Sequence, residues 1–182
     1  MDTITVLTER NDDFAEHRFP SGLTLMPALK TLIIGCVDPR VDPAHVLGVA
    51  LGDAAIIRNV GGRVTPATVA ELVMLRKVTQ AGGGDMGTGW DLVVLHHTQC
   101  GITRLGGEPA MLSAYFGVGE QELPAKRIDD PRAAVAVDVE ALRSSPSLAG
   151  GFLVSGLVYD VATGRTEVVV PPALLRETAG VG

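Results

Sequence analysis

The sequence predicts an α/β fold, a mainly parallel sheet covered by helices. Three observations predict it. The runs Thr31–Gly35, Ala54–Arg58 and Asp91–Leu95 are short and apolar on both faces, as strands of a helix-covered sheet are. The segments between them open with helix signals, a capping residue followed by proline, at Asp42-Pro43 and Thr65-Pro66. The chain has 182 residues and is 46% hydrophobic, which is enough to build one core without covalent staples.

In chain order, residues 1–27 are mixed and polar and read as an N-terminal arm. It holds one short helix, from Asp12 to His17, and ends at Pro27. Such an arm either packs on a partner subunit or frays. Residues 28–182 read as a single α/β domain. After the first strand, Asp42 caps a short helix. The second strand leads into a tight turn at Gly61-Gly62. Thr65 caps a helix over Ala67–Thr79 with Val69, Leu72, Val73 and Leu75 on one stripe. The glycine-rich stretch AGGGDMGTG (81–89) lacks the Lys and Ser/Thr of a phosphate-binding loop and precedes a strand, so it reads as a linker. Residues 104–130 read as irregular. Arg132–Arg143 is an amphipathic helix. Gly151–Val170 contains a strand, a turn at Ala162–Arg165 and a return strand, which make a hairpin.

The net charge is -6 and no Lys/Arg run occurs, which argues against nucleic-acid and anionic-membrane partners. No apolar run reaches the roughly 18 residues of a membrane helix, and the first residues lack a secretory pattern, so the expected location is cytoplasmic.

The chemistry gathers at the strand ends. Ligands in such sheets bind beyond the carboxyl ends of the strands. Cys36 closes the first strand, and His97 and Cys100 lie just past the third. His97-Thr98-Gln99-Cys100 is an H-x-x-C chelate, and Cys36 adds a third soft ligand. Two thiolates and one imidazole suit zinc, and three protein ligands leave the open position of a catalytic site. The two cysteines also admit a buried-thiol or a disulfide reading. His96 and His97 point to opposite faces of a strand, so one of them faces the metal. His97 has the shorter loop to Cys100. His96 then reads as a core or supporting histidine, and His17 and His45 as surface residues. Asp38 follows Cys36 by two residues and Arg40 follows Asp38 by two. They read either as an ion pair that holds a loop or as a carboxylate that orients a nucleophile, kept ionised and off the metal by a forked guanidinium.

CVDPR (36–40), RNVGG (58–62) and HHTQCG (96–101) together resemble the β-class carbonic anhydrases, whose pattern is C-x-D-x-R followed by H-x-x-C. The resemblance spans roughly Thr31–Leu105, and the closing GLVYDVATG is also similar. It implies zinc held by Cys36, His97 and Cys100 and a dyad of Asp38 and Arg40. It implies reversible hydration of CO₂ to bicarbonate and a proton, by a zinc-bound hydroxide that Asp38 orients. It further implies a four-stranded parallel core with a C-terminal antiparallel extension, a homodimer or dimer of dimers, and a closed state in which Asp38 moves onto zinc. Two positions depart from the pattern. Pro39 stands where the family has Ser or Ala. Ile33 stands where members with an accessory bicarbonate pocket carry tryptophan, so that pocket is not expected although Arg58 is present. Val60 is a candidate for the apolar wall of the CO₂ pocket. The competing readings are a hydrolase of CS₂ or COS on the same scaffold, a non-catalytic zinc protein with Asp38 as a permanent fourth ligand, and a redox protein with a Cys36–Cys100 disulfide.

Overall fold

The computed structural model describes residues 2–176. The last six residues of the predicted domain, 177–182, lie outside the described residues. Five strands form one sheet: β1 (Thr31–Cys36), β2 (Ala54–Asn59), β3 (Asp91–His97), β4 (Leu153–Asp160) and β5 (Arg165–Leu174). Their order is β2-β1-β3-β4-β5, the first four parallel and β5 antiparallel to β4. The four-stranded parallel core and the antiparallel extension are as expected.

β1 and β3 occupy the middle of the sheet, and nearly all their residues are buried. Leu32, Ile34, Leu92 and Val94 meet Val154 and Val158 of β4 and the helices α3 (Pro66–Ala81) and α5 (Pro131–Ser144) in the main core. Both helices begin as their sequences direct. Thr65 Oγ1 accepts from the Thr68 N–H and Asp130 from the N–H groups of Arg132 and Ala133, each with proline at the first helical position. Leu72 is buried, and Val69, Val73 and Leu75 pack around it. The short α2 (Pro43–Val46) is capped by Asp42.

Three expectations are corrected. The arm's helix, α1, runs over Thr3–His17, nine residues more than expected at its start. Thr3–Val6 is β-branched and reads poorly as helix, but Asp2 accepts from both the N–H and the Oγ1 of Thr5 and nucleates it. β2 is an edge strand rather than a buried one, with Ile56 37% exposed. Its outer side and α3 flank an apolar groove of about 300 Å³ lined by Ile56, Met74 and Val78 among others. Residues 104–130 are ordered: α4 (Pro109–Phe116) sits between tight turns at Gly101–Leu105 and Glu120–Lys126. Ile102, Leu112 and Phe116 form a second small core there.

Candidate metal centre

β1 and β3 are parallel neighbours in register, Gly35 beside Leu95, so their carboxyl ends meet. Cys36 ends one strand. His97 ends the other with its side chain buried, and Cys100 follows a turn. That turn is possible because Gln99 takes a left-handed conformation, φ 55°. The ligand atoms of Cys36, His97 and Cys100 all lie within 4.8 Å of one another. Asp38 is not in this group. His96 points the other way, as the alternation of a strand requires. His17 and His45 are exposed.

The donor atoms fit a metal ion. His97 Nδ1 lies 2.9 Å from the carbonyl of Thr98 and must carry the proton, which leaves the lone pair on Nε2. Nε2 is buried without any hydrogen-bond partner. The two sulfurs are 3.9 Å apart, far beyond a disulfide bond. The separation is close to the roughly 3.8 Å edge of a tetrahedron with Zn–S bonds of about 2.3 Å. The sulfur of Cys36 accepts from the N–H groups of Gly61 at 3.3 Å and Asp38 at 3.5 Å. The neighbouring Cys100 thiol, His97 and these two N–H groups draw Cys36 well below the ordinary thiol range. The Cys36 thiolate in turn, together with burial, pushes Cys100 up. A cation between the two sulfurs would stabilise both as thiolates.

The turn that supplies the Gly61 N–H needs both its glycines. Gly61 and Gly62 have φ of 84° and 65°. A Cβ on Gly62 would lie 2.9 Å from the Cys36 nitrogen and 3.0 Å from the Leu95 carbonyl, because the turn crosses directly over the two strand ends.

Beside the three ligand atoms, Arg40 forks onto Asp38: Nε to Oδ1 at 3.0 Å and Nη2 to Oδ2 at 2.7 Å. The backbone N–H of Arg40 also donates to Oδ1, at 2.9 Å. The guanidinium holds the Asp38 carboxyl far below the usual range. Arg40 Nη2 also reaches the carbonyl of Gln99, tying the two motif loops together. Pro39 fits at the first position of the short turn Pro39–Val41, where its missing N–H costs nothing, and Asp38 is extended as a residue before proline should be.

Sequence reasoning missed the layer beneath. Arg63 is 1% exposed and forks onto Asp138 of α5, at 2.7 and 3.1 Å. Asp138 also accepts from the Val64 N–H and pairs with His96 Nε2 at 3.1 Å. Burial opposes the charge of Asp138, but His96 and Arg63 outweigh it and hold the carboxyl below its ordinary range. The Arg63 guanidinium stacks on Phe116. A signal was present, since Asp138 stands on the stripe Val135, Val139, Leu142 that α5 buries. Tyr115 was missed too; its hydroxyl donates to the Val60 carbonyl at 2.7 Å.

Comparison with known proteins agrees with this geometry. The family profile described as "Carbonic anhydrase" matches residues 31–114. The crystal structure of the carbonic anhydrase from Streptococcus mutans superposes with a TM-score of 0.71 at 31% identity, covering 93% of this chain and 98% of that one. This chain belongs to the β-carbonic anhydrase family. Its relatives named as β-carbonic anhydrases are lyases, carbonate dehydratases, and indicate that class for this chain. β-Carbonic anhydrase 1 of Mycobacterium tuberculosis is 26% identical over 162 residues, 88% of this chain and 94% of the relative. A carbon disulfide hydrolase from Acidianus is 29% identical over 160 residues, 73% and 74% of the two chains. The family thus reaches this chain with two substrate chemistries among its relatives, and the ligand trio alone does not separate them.

Proposed function

We propose that this protein is a zinc-dependent carbonic anhydrase that hydrates CO₂ reversibly to bicarbonate and a proton. One observation carries the reading: a buried, unpartnered His97 Nε2 converges with two thiols, beside an aspartate locked onto an arginine. Cys36, His97 and Cys100 hold the zinc, and Thr98 fixes the tautomer of His97. Bound zinc supplies the Lewis acidity that makes a water nucleophilic near neutral pH.

The chain's own groups do the rest. Asp38, ionised by Arg40, accepts a hydrogen bond from the attacking water and orients it toward CO₂. With both carboxylate oxygens engaged by Arg40, Asp38 is held back from the ligand trio, which favours the open state over the closed one. Val60, anchored through its carbonyl by Tyr115, contributes to the wall for CO₂. Because α1 buries none of its residues and exposes Ile4 and Leu7, we assign it to contact with a second copy, in a homodimer or dimer of dimers. No helix among the described residues is long and apolar enough to cross a membrane.

The relative from Acidianus keeps CS₂ hydrolysis as the second reading. Stopped-flow CO₂ hydration and a CS₂ assay on zinc-quantified protein, each with Asp38→Ala, test both. About one zinc per chain, CO₂ turnover and a much weaker variant support the proposal. Zinc at that level with CS₂ turnover alone moves the chain to the second reading. Zinc with neither activity sinks both.

A further inference from the structure

We propose that Arg58 is a positioning residue that clamps the loop carrying Asp38 and thereby sets where the Asp38 carboxylate is presented. The proposal rests on the carbonic anhydrase reading for its kinetic consequence and on geometry for the clamp itself. Arg58 lies on β2 in register with Gly35, one residue before Cys36. Its side chain runs across the strand end and reaches three acceptors in the segment Cys36–Asp42. Nε donates to the Cys36 carbonyl at 2.9 Å, Nη2 to the Asp38 carbonyl at 2.8 Å, and Nη1 to Asp42 Oδ2 at 2.6 Å. Each nitrogen of the fork is engaged, and its side chain is only 26% exposed.

The turn of that loop is closed by a long Val41 N–H to Asp38 carbonyl bond of 3.2 Å, which leaves work for such a tether. The Asp38–Arg40 pair beside it meets solvent on the Arg40 side, which is half exposed, while Asp38 is only 13% exposed. Arg40 Nη2 ties that pair to the loop after β3 through the Gln99 carbonyl. Arg58 ties it to β1 and α2, because it spans from the carbonyl of Cys36 to Asp42. Asp42 divides its oxygens: Oδ1 caps α2 by accepting from the Ala44 N–H at 2.9 Å, and Oδ2 takes Arg58. The Asp38 carbonyl and carboxylate thus sit between a point fixed on β1 and a point fixed on α2. A misplacement near 1 Å in such a site costs up to about 100-fold in rate.

The test is a cycle of Arg58→Gln and Asp38→Ala in zinc-quantified protein, with amide hydrogen exchange of Arg40 and Val41 as the second readout. Arg58→Gln should keep about one zinc per chain, lower kcat by about 10- to 100-fold, leave KM nearly unchanged, and speed exchange at both amides at least about tenfold. In the Asp38→Ala background it should lower kcat by less than about twofold, because its effect passes through Asp38. Arg58→Lys should retain only part of the rate, since an ammonium cannot fork across three acceptors. Asp42→Asn, which keeps a good cap, should act in the same direction as Arg58→Gln. An undiminished effect of Arg58→Gln in the Asp38→Ala background, or a wild-type rate with unchanged exchange, overturns the proposal. If Arg58→Gln fails to fold, Arg58→Lys and Asp42→Asn take its place in the same cycle. If the wild type hydrates no CO₂, the functional reading falls and the exchange data alone decide the clamp.

Discussion

Replacing Asp138 by asparagine should destabilise this protein by about 3–5 kcal/mol, the cost of leaving a buried charge without its partner. The structure supports that range. Asp138 and Arg63 are each 1% exposed, and the carboxylate accepts from Arg63 twice, from the Val64 N–H and from His96. Asparagine keeps the shape and one acceptor but strands the guanidinium, whose remaining contacts are the Lys126 carbonyl and the face of Phe116. For a chain of 182 residues, with an unfolding entropy of about 2.1 cal/mol/K per residue, the melting temperature falls by about 8–13 °C.

The exposed pair of Arg76 and Asp85 is the control. It forks equally well, at 2.8 Å twice, yet its aspartate is 55% exposed, so Asp85→Asn should cost well under about 1 kcal/mol. The pH dependence has a definite sign. The folded-state pKa of Asp138 is depressed, so its contribution is present above the unfolded value near 3.9 and is lost as pH falls below it. The difference between wild type and Asp138→Asn should therefore stay constant from pH 7 to about 5 and close in stronger acid. Replacing both partners, Arg63→Met with Asp138→Leu, should recover only part of the stability, because the Val64 N–H and His96 Nε2 lose their acceptor. Scanning calorimetry at several pH values decides. A shift below about 3 °C at pH 7, or a gap that widens in acid, refutes the reasoning.

Two further outcomes follow from the geometry. Gly62→Ala forces a β-carbon to within 2.9 Å of the Cys36 backbone at a φ of 65°, so zinc per chain should fall well below one and melting should drop by more than the left-handed cost of about 1–2 kcal/mol alone; full zinc with an unchanged melting point argues against the crossing of turn and strand ends. Charging the exposed face of α1, with Ile4→Glu and Leu7→Glu, should shift the protein toward monomer in analytical ultracentrifugation while leaving zinc content intact; an unchanged mass removes α1 from the interface.

The sheet was legible because parallel strands buried on both faces announce themselves as apolar runs, and because Asp42, Thr65 and the prolines after them mark helix starts with atoms that then cap them. The convergence of Cys36, His97 and Cys100 was legible because they sit at strand ends, where topology rather than local pattern brings distant residues together. What resisted reading has mostly tertiary determinants, with one local exception at the start of α1. Thr3–Val6 became helix because a side chain at Asp2 supplied the first hydrogen bonds, overriding β-branched propensity. β2 has the composition of a buried strand yet lies at an edge, because strand order depends on the crossovers and not on the strand itself. Residues 104–130 hide α4 because Ile102, Leu112 and Phe116 form a core too small to leave a long stripe.

Arg58 and Arg63 illustrate the same division within the functional site. Both flank the glycine turn, and both look alike in sequence. Arg58 is an outward extension of an edge strand and fastens the loop of Asp38 to the strand ends. Arg63 is driven inside, where Asp138 compensates it and the Val64 N–H shares the same carboxylate. Gly61 and Gly62 are thus held from both sides, with the Gly61 N–H aimed at Cys36 between the two guanidinium anchors. An aspartate on the buried stripe of α5 and one at the start of α2 therefore act on the same small turn and loop. The geometry around the Cys36 sulfur therefore depends on two ion pairs, neither of which includes Cys36, His97 or Cys100.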